Sequence, residues 1–123
     1  MSNTFKHIIL FASVIFPIIL FCQKSNKENF KNLYSFENVY KAEVSLFKKS
    51  DYNQIDYREL LKVLQCSKGV ISKFIPYKEV ILYDKGGITY IIYFSDDYRR
   101  IKINGKTFAL TKRQSKKVFE ILK

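Results

Sequence analysis

Two repeat lengths organise the chain from position 40 onward. Tyr40, Ala42, Val44 and Leu46 alternate with Lys41, Glu43 and Ser45, a period of two that predicts a strand with one buried face. The period then changes. Ile55, Leu60, Leu61 and Leu64 form an apolar stripe at helical spacing, and Asp56 with Glu59 supplies a D-x-x-E start signal. The predicted helix ends near Ser67-Lys68-Gly69, where glycine can take the left-handed conformation of a helix stop. Residues 70–75, VISKFI, fit either a strand or another helical turn, and Pro76 prevents a regular helix from continuing.

From Lys78 the period of two returns. EVILY, ITYIIYFS, YRRIKI and KTFALT are separated by Gly86-Gly87, Asp96-Asp97 and Asn104-Gly105, which predicts an antiparallel meander of strands joined by short turns. Asn104-Gly105 is the strongest turn signal, because a type I′ turn needs residues that tolerate positive φ at both central positions. It also sets the register: Ile103 opposes Lys106, Ile101 opposes Phe108 and Arg99 opposes Leu110, so Ile101 and Phe108 point inward while Arg100, Lys102 and Thr107 point outward. The chain closes with a second helix, opened by the T-x-x-Q capping box of Thr111 and Gln114. Its stripe is Ser115, Val118, Phe119 and Leu122, suited to packing on the meander.

The predicted fold class is therefore α+β, an antiparallel β-meander of four to five strands with one internal helix and a C-terminal helix packed on one face. Residues 38–123 form one small domain, 23–37 read as a tether, and 1–22 as a hydrophobic export or anchor segment. No internal repeat, low-complexity run or proline-rich linker interrupts the pattern.

The segment ahead of the domain is uniform. Residues 8–22, IILFASVIFPIILFC, carry no charge, follow Lys6 and His7, and give way to QKSNKEN. As a helix this run reaches only ~22 Å, short of the ~30 Å hydrocarbon core, and Pro17 falls in its middle. Its apolar residues cover every side, unlike the stripe of a buried core helix. The first 22 residues resemble a bacterial lipoprotein signal, in which Cys22 is the lipidation candidate. They depart from that pattern where a small residue normally precedes the cysteine, since Phe21 stands there, so an uncleaved anchor is the alternative. Lys6 on one flank is nearly balanced by Lys24, Lys27 and Lys31 against Glu28 on the other, which leaves the orientation open. The expected location is the cell envelope, exported and membrane-associated, with an inner-face domain behind a reverse anchor as the other arrangement.

Charge adds a candidate surface. Excluding Lys6, 21 basic and 11 acidic side chains give a formal charge of +10. The excess is dense near the C-terminus, in Arg99, Arg100, Lys102, Lys112, Arg113, Lys116 and Lys117. Basic residues in a first helical turn oppose the helix dipole by ~0.3–1 kcal/mol each, and a sequence that accepts this can gain an anion site for a phosphate, a sulfated glycan or an acidic lipid headgroup. Against that, 18 of the 22 basic residues are lysine, whereas phosphate recognition favours arginine forks. A solvated basic face, shaped by AT-rich codons that also supply Ile, Phe, Tyr and Asn, accounts for the same composition. Nucleic acid becomes an implausible partner if the domain is exported.

The chemistry left to the domain is narrow. The only histidine is His7, so after the export segment no imidazole is present for Ser-His-Asp or Cys-His activation or for histidine metal ligation. Once Cys22 is lipidated or removed, Cys66 is the only thiol left, which excludes an intramolecular disulfide framework or a four-cysteine metal site. After LLKVLQ, Cys66 reads as a small buried hydrophobe ahead of a reactive thiol or an intermolecular bridge. Asp96-Asp97 reads as a turn former, because sequence neighbours rarely converge on one substrate atom. There is no G-x-G-x-x-G and no Walker sequence. We expect no cofactor, no metal and no catalysis. Tyr83, Tyr90, Tyr93, Phe94 and Tyr98 lie on strand-like runs among basic residues, where core packing is the first reading and a stacking platform the second. Both faces of ITYIIYFS are apolar, so that strand reads as central and covered, while exposure of Ile91 and Tyr93 would mark a partner surface. The expectation that fits best is a membrane-tethered interaction module meeting a protein, glycan or anionic lipid. The alternative is a basic domain binding anionic lipid or nucleic acid through residues 99–117.

Overall fold

The computed structural model describes residues 29–123. Helix α1 (Phe30–Leu33) leads into β1 (Val39–Leu46) and β2 (Asn53–Ile55), followed by α2 (Tyr57–Leu64) and β3 (Lys68–Val70). Strands β4 (Lys78–Asp84), β5 (Thr89–Phe94), β6 (Arg100–Ile103) and β7 (Lys106–Ala109) then precede α3 (Lys112–Leu122). All strands join one antiparallel sheet of seven, in the order β2-β1-β4-β5-β6-β7-β3. The fold is α+β, and β4 to β7 form the expected meander. The two further strands, β2 and β3, span three residues each, too short for a period of two to be visible.

Helix α2 starts where the sequence places it. The Asp56 carboxylate accepts from the Arg58 and Glu59 N–H groups, satisfying donors that have no partner inside the helix. Its end differs from the expectation. Gly69 lies inside β3, and the last turn is closed by Ser67, whose N–H and hydroxyl both donate to the Leu64 carbonyl. The serine offers a local bond that replaces the left-handed glycine stop. Residues 71–76 belong to no helix or strand.

The Asn104-Gly105 turn takes positive φ at both positions, 51° and 77°, and β6 and β7 pair as Ile101↔Phe108, Lys102↔Thr107 and Ile103↔Lys106. At the other end of β6, Tyr98 is not on a strand. It sits in the loop after β5 with φ of 57° and is buried against Phe94 and Phe119. The Thr111–Gln114 capping box forms at the start of α3. Ser115, Val118 and Leu122 are buried beneath that helix, while Phe119 stays half exposed.

One core lies between the sheet and the helices. Ala42, Val44, Val80, Leu82, Ile92, Phe94, Ile101 and Phe108 from the strands meet Leu60, Leu64, Val118 and Leu122. The segment 29–37, read from the sequence as the end of a tether, contributes to it. Phe30 is buried and stacks near Tyr34, Phe36 and Phe108, and its N–H donates to the Ser67 carbonyl. Among the described residues no helix is long and apolar enough to cross a membrane. The export or anchor segment, Cys22 included, lies outside the described residues.

Candidate interaction face

Because successive strand residues point to opposite sides, burying Ala42, Val44, Val80, Leu82, Ile92, Ile101 and Phe108 under the helices sends their neighbours to the other side of the sheet. No described helix covers that side. The register aligns its residues in rows. Ser45, Glu79, Tyr93, Lys102, Thr107 and Val70 follow one another across six strands. Glu43, Ile81 and Ile91 form a second row, and Lys41, Tyr83 and Thr89 a third. β5 is therefore central, as its apolar run implies, yet among the described residues helices cover it on one face only. Ile91 is 39% exposed, and Tyr93 is half-buried under the edge of Phe47, with ring centroids 5.6 Å apart.

The face is electrically divided. On the β1–β4 side the Tyr83 hydroxyl donates to Glu43 Oε1 at 2.6 Å, and Lys41 lies 5.0 Å from the Tyr83 ring. The hydrogen bond to Glu43, reinforced by partial burial and by the charge of Glu43, pushes the Tyr83 phenol up to about 12. The Tyr52 hydroxyl donates to Glu79 at 3.4 Å on the same side. On the β6–β7–β3 side the outward charged residues are Arg100 and Lys102 on β6 and Lys68 on β3, with no acid among the strand positions that carry them.

The seven basic residues singled out from the sequence are not brought into one patch. Arg100 and Lys102 belong to the uncovered face. Arg99 folds back to the β7–α3 junction, donating from Nε to the Leu110 carbonyl at 2.8 Å. Lys112, Arg113, Lys116 and Lys117 sit on α3, which packs on the opposite face. Arg113 and Lys117 line a groove of about 750 Å³ between α2 and α3 together with Glu59 and Glu120. Lys116 and Lys117 also border a hollow that contains Asp96 and Asp97. Acids thus accompany three of the four helix cations, and the capping box already occupies the Gln114 N–H at the start of α3.

Asp97 behaves as a turn former. Its carboxylate accepts from the Arg99 N–H at 2.9 Å and the Ser95 hydroxyl at 2.7 Å, and these bonds hold it below the usual carboxylate range. Among the described residues no cluster of histidine, cysteine and carboxylate is suited to hold a metal. Cys66 differs from its sequence reading as a buried hydrophobe, since it is half-buried at the rim of the α2–α3 groove and disulfide-bonded.

The features missed by sequence reasoning include the short strands β2 and β3 and the exposure of the segment after β3. Ile71 and Ile75 are almost fully exposed, and together with Lys73 they alternate outward from residues 72 and 74. The sequence Ile71-Ser72-Lys73-Phe74-Ile75 has no apolar–polar alternation, so no pattern announced that exposure. No family model, no curated protein and no solved structure matches this chain.

Proposed function

We propose that this protein is a non-catalytic interaction module of the cell envelope, tethered to the membrane by residues 1–22 and meeting a protein partner on its uncovered sheet face. The observation that carries the reading is the outward row of Ile81 and Ile91 beside Tyr83 and Tyr93. Aromatic and branched side chains at the centre of a surface, flanked by charge, form the composition of a binding patch. The apolar run of residues 8–22 supports the tether. The oxidised state of Cys66 supports a compartment outside the reducing cytoplasm.

The test is the mass of the mature chain extracted from membranes, with protease accessibility of the domain read on the same cells. A domain open to protease in the envelope supports the reading. A chain that begins at a diacylated or triacylated Cys22 makes the tether a lipid, with Cys66 then paired between chains. A Cys22–Cys66 bond in an uncleaved chain makes the tether a peptide anchor, because one sulfur cannot carry both. A chain that starts at Met1 with a protected domain overturns the reading and moves the basic surface to the inner face, where anionic lipid or nucleic acid is the partner to seek.

A further inference from the structure

Cys66 is disulfide-bonded, yet residues 29–123 contain no second cysteine to bond it. The chain has only one other, Cys22, at the end of the apolar run. The fold brings the start of the domain back to this point. The Phe30 N–H donates to the Ser67 carbonyl at 3.2 Å, and Asn29, the residue before Phe30, is buried. Ser67 follows Cys66 directly, so the chain enters the core one residue along from the bonded cysteine. Seven residue steps separate Asn29 from Cys22, and they span up to ~25 Å, which puts the two sulfurs within reach of each other. Folding has thus closed most of the loop between positions 22 and 66 before any bond forms. So short a connection sets the two thiols at an effective concentration of order mM, which favours a bond within one chain over a bond between two.

We propose that Cys22 and Cys66 of one chain are joined, and that this bond seats the domain on the bilayer by its α2–α3 side. The proposal rests on the envelope reading and gives the tether its regulation. A disulfide keeps its two Cα atoms within ~7 Å, and Cys66 stands at the rim of the α2–α3 groove with Val63 and Ile121. As a helix, the apolar run ending at Cys22 reaches only ~22 Å, less than the ~30 Å hydrocarbon core, so a residue bonded to Cys22 is held at the bilayer surface. Lys62, Arg113 and Lys117, which line the same groove beside Glu59 and Glu120, then lie at the level of the lipid headgroups. The sheet face opposite the helices is turned away from the membrane and toward the partner. The bond is also a switch, because Cys66 is half-buried at a groove rim and not sealed in the core. Oxidation of the two thiols passes two electrons and two protons to a disulfide-bearing oxidant of the envelope, which leaves as a dithiol. The reverse exchange with a dithiol frees both sulfurs and returns the domain to the leash between Cys22 and Asn29.

The experiment blocks free thiols with iodoacetamide on intact cells, extracts the full chain into neutral detergent and digests it with trypsin without reductant. Cuts after Lys6, Lys24, Lys62 and Lys68 place Cys22 in fragment 7–24 and Cys66 in fragment 63–68. The two fragments should be joined, in a chain that runs as a monomer on a non-reducing gel, and dithiothreitol should separate them. In vesicles of phosphatidylethanolamine and phosphatidylglycerol, amide exchange at residues 59–66 and 113–121 should be slower than in detergent. Reduction of the bond should remove that difference between vesicle and detergent. Cys22→Ser, which leaves the domain untouched, and Cys66→Ser should each lack the difference from the start. Fragment 63–68 joined to a second copy of itself, an alkylated Cys66, an acyl group on Cys22, or vesicle protection that ignores the reductant would each overturn the proposal. Protease accessibility on the same cells is read independently of the fragment map. A protected, inner-face domain with joined fragments therefore defeats the envelope reading alone, and an envelope domain with an acylated Cys22 or an alkylated Cys66 defeats this one alone.

Discussion

At the scale of single residues, partner groups give Tyr83 and Asp97 roles that their residue type alone does not. Tyr83 donates to Glu43, and this holds its phenol protonated up to about 12. A group with a folded pKa raised above its unfolded value of ~10 contributes stability that is complete below that value and is lost as pH rises toward the folded one. Tyr83→Phe should therefore cost less than ~1 kcal/mol at neutral pH, as suits a partly exposed hydrogen bond. The stability difference between the two proteins should close in strongly alkaline solution. Denaturant melts of both across that range, with phenolate absorbance recorded in parallel, check the expectation. A difference independent of pH would mean that the ring, not the hydroxyl, matters. Asp97 shows how far a residue type can be read in advance. Two adjacent aspartates between strands imply a turn, and the structure supplies the reason in the Arg99 N–H and Ser95 hydroxyl bonds. Tyr98 was not legible in the same way. Only the left-handed backbone of that loop turns it into the core.

Elements were legible in proportion to their length and the strength of their end signals. α2 and α3 begin at Asp56 and Thr111, where the capping residues stand, and the β6–β7 register follows from one dipeptide. Replacing Asn104 and Gly105 by alanine puts two Cβ-bearing, non-polar residues at positive φ, a change worth roughly 2 kcal/mol. The expected outcome is a lower thermal midpoint with an unchanged far-ultraviolet spectrum. A midpoint that does not move would show that the hairpin is held by Ile101 and Phe108 rather than by its turn. The short strands escaped because their pairing is a tertiary decision. Asn53–Ile55 joins β1 through Ala42↔Ile55 and Val44↔Asn53, and no pattern within three residues announces that. Ile55 was instead counted toward the helical stripe, which it merely precedes. The candidate site was hidden for a related reason. An apolar run on both faces of β5 implies cover on both, but all the described helices lie on one side, so the basic residues read as a single cluster divide between two faces.

At the scale of the whole molecule, the point where the core begins matters more than its size. Phe30 is buried and touches Tyr34, Phe36 and Phe108, so truncating it should remove a part of the core. Phe30→Ala should destabilise the domain by about 3–5 kcal/mol, measured by chemical denaturation. A cost below ~1 kcal/mol would show that the N-terminal aromatic cluster is dispensable. The consequence reaches beyond stability. Cys22 and Asn29 are seven residue steps apart, which span at most ~25 Å. On the proposed tether at Cys22, the domain would work within about one protein radius of the bilayer, and a partner would meet it at the lipid surface. Lengthening that proposed leash would widen the volume the domain searches while diluting it at the membrane, so reach and local concentration would be set together by where Phe30 enters the core.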